Sequence, residues 1–239
     1  MRKIKRFYKT AGSVPADDGF GVVLDGRPLR TPAKVPLVVR SGALAAAIAG
    51  EWQAQGDDID TASMALNNLA CTAIDIVGPR RREIIDDLAG YGGHDLICYW
   101  SDEVDDLLRR QQDHWQPLLD WAAQALGAPL VKTCGVVSQD QPPESLAALK
   151  AAVESHDPLA LTGLAAVVQA SGSLVVGLAL SRGRLNAEQA WKVSLLDELY
   201  QQERWGEDAE ARKRQAALRQ EIDSADRFLA LLRAEAAAG

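Results

Sequence analysis

The sequence predicts an α+β protein, with a small antiparallel β-rich N-terminal domain carrying a covering helix and a larger all-α, orthogonal-bundle C-terminal domain. Strand-like alternation and a hairpin signal fall within residues 1–40, whereas beyond about residue 64 the periodic segments carry apolar residues at helical spacing. The chain has 239 residues, 47% hydrophobic and 25% charged, enough to fill two cores and too apolar for wholesale disorder. The expected division is 1–63 and 64–239.

Lys3 to Thr10 alternates as a strand, Phe20 to Leu24 leads into the two-residue turn signal Asp25-Gly26, and Val35 to Val39 is a further β-rich run. Prolines at 15, 28, 32 and 36 confine these strands to edges and turns, because proline cannot donate to a ladder. A sheet this small needs cover. Ser41 is placed to cap a helix whose Leu44, Ala45, Ile48, Ala49 and Trp52 share a face and which ends by Gly56. Asp57, Asp58 and Asp60 lack the glycine and terminal glutamate of a calcium loop, and predict an acidic capping turn instead.

Helices are then expected over 64–77, 80–89, 94–100, 105–126, 142–155, 158–170, 173–181, 187–204 and about 208–234, with breaks at Gly78-Pro79, Gly90 to Gly93, Gly127 to Pro129 and Arg182-Gly183. Val131 to Val137 fits a short strand or a loop equally. Leu159 to Leu180 carries no charge, but Thr162, Gln169 and three glycines break its hydrophobicity. It predicts a buried helical hairpin turning at Ser171-Gly172-Ser173 and not a membrane span. The basic start, Met1 to Arg6, lacks the apolar run of a secretory signal.

The chemistry-bearing residues are dispersed. Cys71, Cys98 and Cys134 have no paired spacing, His94, His114 and His156 fall in different helices, and no phosphate loop or serine elbow is present. No metal or cofactor is expected. Charge is divided: residues 1–40 hold nine Lys or Arg against three acids, a balance of +6 in a chain whose net charge is −7. Lys3, Lys5, Phe7 and Lys9 share one strand face, a basic and aromatic pattern also found in single-strand binders, but an acidic remainder argues against nucleic acid. Lysines guarding a strand edge account for that face.

The richest constellation lies near the C-terminus. On a wheel drawn over 187–204, Trp191, Val193, Leu195, Leu196, Leu199 and Tyr200 share one arc, and Ser194, Asp197, Glu198, Gln201 and Arg204 the other. Trp205-Gly206 ends that helix with an anchor and a C-terminal glycine, and Glu207, Asp208 and Glu210 load the next turn with acid. Either a solvated charged face or an acidic, tryptophan-bearing binding surface fits this pattern. Of the six tryptophans, Trp52, Trp115, Trp121 and Trp191 fall on apolar helical faces, and Trp205 and Trp100 at helix ends beside acid.

Ordered segments over nearly the whole chain resemble the family of chaperones that hold the alpha subunit during assembly of the F1 sector of ATP synthase. They are Lys5 to Lys9, the hairpin Leu24-Asp25-Gly26-Arg27-Pro28-Leu29-Arg30-Thr31-Pro32, Glu51-Trp52 with Gln55, Asp95 to Tyr99, Trp115 to Trp121, Gly172 to Val175, and Asp197 to Gln201 followed by Trp205-Gly206. Ala65 departs from a proline common in the family, and His94 from a small hydroxyl residue. The resemblance implies a non-enzymatic holder that prevents aggregation of the new alpha subunit until the beta subunit replaces it. It places the family's functional acidic position on Asp197; together with the acidic, tryptophan-bearing pattern, Asp197, Glu198, Gln201, Trp205 and Glu207 are the expected partner-binding residues, Glu51 and Trp52 are expected to be structural, and no catalytic or metal residue is expected. A monomer is expected, in the bacterial cytoplasm or in the mitochondrial matrix if processed, with no nucleic acid and no membrane insertion. An enzyme with a dispersed interdomain site using Asp197, His94 or Cys98 is the alternative.

Overall fold

The computed structural model describes residues 4–102, 106–135, 139–206 and 208–236. By contact the chain divides into one compact unit of Met1–Arg81, Pro158–Gly163 and Arg227–Gly239, and a second of Arg82–Asp157 and Leu164–Asp226. The boundary expected at 63/64 coincides with an edge of neither.

The first unit contains β1 (Ile4–Lys5), β2 (Ala11–Ala16), β3 (Gly19–Leu24), β4 (Arg27–Pro28), β5 (Val38–Val39), α1 (Gly42–Gln53), β6 (Asp58–Ile59) and α2 (Ala65–Thr72). β3 is central, with β2 along one side (Ser13 opposite Val22) and β4 and β5 sharing the other (Leu24 opposite Arg27, Phe20 opposite Val39), all antiparallel. The turn Asp25-Gly26 has φ of 47° and 76°, the left-handed pair a two-residue hairpin requires. β1 stands apart and pairs with β6.

Lys3 to Thr10 is therefore not one strand. Arg6 leaves the alternation because its guanidinium donates to the carbonyls of Tyr8, Lys9, Gln53 and Gln55. The pairing strand is instead Ala11–Ala16, of low β propensity, which sits at the sheet edge where Pro15 is tolerated.

Ser41 caps α1 as expected, its hydroxyl accepting from the Leu44 amide at 3.1 Å. Leu44, Ala45, Ile48 and Ala49 are buried against Val22, Leu37 and Val39 of the sheet. At about 1.5–3 kcal/mol for each fully buried Leu, Ile or Val, this face accounts for the seating of the helix. The same core takes in Leu66 and Ala70 of α2 and Phe228 and Leu232 from far along the chain, which is why the unit outruns residue 63. Ser41 also donates to the Leu231 carbonyl at 2.8 Å.

The remaining elements are α3 (Arg81–Gly90), β7 (Tyr99–Trp100), α4 (Asp106–His114), α5 (Gln116–Leu126), β8 (Thr133–Cys134), α6 (Pro143–Glu154), α7 (Pro158–Ser171), α8 (Leu174–Ser181), α9 (Ala187–Ser194), α10 (Leu196–Trp205) and α11 (Ala209–Ala236). The helical character holds, with one addition. β7 and β8 form a two-residue parallel pair, placing a strand within Val131 to Val137, of which 136 and 137 lie outside the described residues. Trp100, expected at a helix end beside acid, is buried at 5% exposure, its ring centroid 6.4 Å from that of Trp115.

Three helix expectations change. Residues 94–100 form short 3₁₀ turns and β7, because Asp95 is extended (φ −62°, ψ 133°) and its carboxylate accepts from Ile97 N and Val175 N. The segment 105–126 breaks after His114, where Pro117 in the first turn of α5 cannot donate to the preceding helix. The segment 187–204 breaks at Leu195 (φ −108°, ψ 16°), so one wheel does not describe both halves. The apolar stretch 159–180 does form a hairpin: α7 and α8 meet at Gly172 with φ 70°, Ser173 caps α8, and α8 is buried throughout. Among the described residues no helix is long and apolar enough to cross a membrane.

Candidate partner-binding groove

Asp197, Glu198, Gln201 and Trp205 line one open groove of about 550 Å³ between α10 and the start of α11, with Gln202, Asp208 and Arg214. Glu207 lies outside the described residues. Trp205 closes α10 with its side chain 76% exposed, a large apolar surface left in water beside acid. Gly206 turns the chain away at φ 89°.

The walls are held by polar contacts on both sides of α10. Asp197 Oδ1 accepts from Gln111 Nε2 at 2.9 Å, and Gln111, itself buried, accepts the Ser101 amide at 2.8 Å. Burial pushes the Asp197 carboxyl above the ordinary aspartate range, and the Gln111 bond opposes the shift. Its charge is half-buried and holds no ion pair with a described residue. Glu203 forms a two-pronged pair with Arg110 (2.9 and 2.6 Å), and Arg110 and Arg204 stack on the Tyr200 ring. Glu198 bridges to α11, pairing with Arg214 and accepting from Gln215 at 2.7 Å. Gln202 Nε2 is buried with no hydrogen-bond partner among the described residues, an unmet donor in the groove lining.

The groove is thus acidic at Asp197 and Asp208 and apolar at Trp205. Sequence spacing anticipated four of its residues. It missed Gln202, Arg214 and the support from Gln111 because these come from other elements or from the buried side of the same turn.

Glu51 and Trp52 sit elsewhere, in the first unit, and their contacts are architectural. Glu51 Oε1 and Oε2 accept from the amides of Leu66 and Asn67 (both 2.8 Å), so a carboxylate from α1 caps the first turn of α2. Burial raises the Glu51 carboxyl against those bonds. Trp52 Nε1 donates to Asn67 Oδ1 at 2.9 Å, and the Trp52 carbonyl accepts from Tyr8 Oη at 2.7 Å. Gln55 accepts from Asp60 N and donates to Glu51 O and Ser63 Oγ. Together Glu51, Trp52 and Gln55 fasten the end of α1 to the turn at Asp60–Ser63 and to the start of α2.

The sequence profile of the family described as ATP12 chaperone protein matches residues 5–123. The crystal structure of Atp12 from Paracoccus denitrificans is 44% identical and superposes with a TM-score of 0.92 over 95% of this chain and 97% of that one. The chain belongs to the ATP12 chaperone family. An aspartate-to-lysine mutant of the Paracoccus protein, 43% identical to this chain, gives the same TM-score of 0.92. A mitochondrial atp12 protein of Schizosaccharomyces pombe is 28% identical over 220 residues, 84% of this chain and 74% of that protein.

Two of the other chemistry-bearing residues, Cys98 and His156, have structural surroundings. Cys98 is buried and its thiol pushed up to about 12, first by desolvation and then by Asp95. That thiol is not a nucleophile at neutral pH. His156 is held between Ala152 O and Ser181 Oγ. No group of three or more His, Cys, Asp or Glu able to hold a metal occurs among the described residues.

Proposed function

We propose that this ATP12-family chaperone holds the unassembled alpha subunit of the F1 sector of ATP synthase through the groove between α10 and α11, and keeps it from aggregating until the beta subunit takes its place. Asp197, Glu198, Gln201 and Trp205 are the contact residues. The observation that carries this is the coincidence in one groove of a 76% exposed tryptophan and a half-buried carboxylate without an ion pair among the described residues. Each is costly or neutral in the free protein and becomes favourable when a partner supplies apolar cover and a cation.

No nucleotide or metal is needed for release. Handover requires only that the final partner bind the shared surface more tightly, and about 1.4 kcal/mol of difference shifts the distribution tenfold. Such a holder acts where the F1 sector is put together, the bacterial cytoplasm or the mitochondrial matrix. The test is to dilute denatured alpha subunit into buffer with and without the protein, following light scattering and then sizing the mixture. Suppressed scattering with a co-eluting complex supports the proposal. Unchanged scattering and separate elution remove it.

A further inference from the structure

The first unit carries a second surface of opposite character. Phe7 is 70% exposed, yet it is the end of a fixed aromatic row: its ring centroid is 5.4 Å from that of Tyr8, which is 5.7 Å from that of Trp52, both edge-to-face. Tyr8 is anchored by its hydroxyl on the Trp52 carbonyl and covered by the Arg6 guanidinium at 4.6 Å. The two ends of the row open into two hollows of about 560 Å³ each. Phe7 and Arg27 line one, Trp52, Met64 and Asn68 line the other, and Arg30 lines both.

The acids beside these hollows are already engaged. Asp25 spends its carboxylate on the Lys9 and Thr10 amides and the Thr10 hydroxyl, which holds its carboxyl below the usual range. Asp75 spends its own on Thr31 Oγ1 at 2.6 Å and Ala33 N at 3.0 Å. The loop bearing Arg30 is held in shape, since its guanidinium donates to the Lys34 carbonyl at 2.7 Å and Lys34 sits in the left-handed region at φ 67°.

We propose that the two hollows form one docking surface for an extended peptide segment that carries a carboxylate between two apolar side chains. In an extended chain alternate side chains point the same way. A carboxylate there meets Arg30, whose planar fork suits it, while the flanking apolar groups meet Phe7 on one side and Trp52 on the other. Arginine and exposed aromatic rings also suit single-stranded nucleic acid, and a competing oligonucleotide separates the two.

The probe is a blocked peptide, Ser-Leu-Thr-Glu-Thr-Leu-Ser, titrated into the isotopically labelled full chain and followed by NMR. The Trp52 indole N–H, the Phe7 ring and the Arg27 and Arg30 side chains shift together and saturate. A glutamine in place of the peptide's glutamate weakens binding at least about tenfold, as does the double variant Arg27→Glu with Arg30→Glu, and Phe7→Ala weakens it at least about threefold. Asp197→Lys leaves the titration unchanged, so the result is separate from that of the α10–α11 groove. Absence of a saturable shift at these residues overturns the proposal, as does equal binding of the glutamine peptide or displacement by an equimolar thymidine decanucleotide. If the double variant fails to fold, the glutamate–glutamine comparison on the unaltered protein decides.

Discussion

Glu51 places its carboxylate on the first turn of a helix other than its own, where the amides of Leu66 and Asn67 precede any intrahelical acceptor. Glu51→Ala is expected to cost about 1–2 kcal/mol, read as a lower urea midpoint at unchanged slope, and Glu51→Gln, which keeps one acceptor, about half of that. An unchanged midpoint for the alanine variant would show that the cap contributes nothing. Trp52→Arg loses the ring contact with Tyr8 and the bond to Asn67, and a loss of about 3 kcal/mol or more is expected, measured as misfolding or a collapsed thermal midpoint. Asp95 supplies a pH signature. It is fully buried and its carboxyl is raised to about 6, first by desolvation, with bonds from Ser173 and the amides of Val175, Ile97 and Leu174 opposing. Because the folded value lies above the unfolded one, the unfolded chain releases this proton first as pH rises. Stability from Asp95 is fully present below pH 4 and is lost between about 4 and 6, on the order of 2–3 kcal/mol. Relative to Asp95→Asn, the natural protein loses ground over that window, and a pH-independent difference between the two contradicts the assignment. At this scale the sequence is legible where one residue has one local task, as with Ser41, Ser173 and the turn Asp25-Gly26. Glu51 and Asp95 are legible only as motif members, because their partners lie 15 and 80 residues away.

Helix ends and glycines decide how the elements meet. In the sequence Gly163 of α7 only lowers hydrophobicity, but a Cβ there would lie 2.7 Å from Leu229 Cγ, so the glycine lets α7 approach the far end of α11 within the first unit. Gly163→Ala is expected to cost about 1–3 kcal/mol by overpacking, and an unaltered melt would mean the contact relaxes freely. A Cβ at Gly177 would lie closer still, 2.5 Å from Val168 Cγ2. The helical hairpin is legible because its turn residues are unambiguous. The breaks after His114 and Ser194 are not, because apolar spacing continues across both and the kink arises from a missing donor or from tertiary burial of Leu195 and Leu196. The strand Ala11–Ala16 is invisible for a related reason: small residues with one proline give no β signal until β3 provides an edge.

For the whole molecule, the division of charge seen in the sequence becomes a division of surfaces. The basic N-terminal segment supplies the arginines of the paired hollows, and the acidic helices supply the groove at Trp205. Four of the groove residues are legible in the sequence because at this helix end spacing alone puts acid and tryptophan together. The contact of Asp197 with Gln111 is not, since the two are 86 residues apart. Asp197→Lys is expected to weaken the complex with the alpha subunit while leaving the thermal midpoint within a few degrees, because the side chain is only half-buried and a long amine can reach solvent. The most direct measurement concerns Trp205, whose exposed ring contributes little to the fold. Affinity for unassembled alpha subunit and thermal midpoint are measured for the natural protein and for Trp205→Ala. A melt unchanged within about a degree and binding weakened at least about tenfold are expected. Equal affinity in a variant that melts normally would contradict a binding role for Trp205.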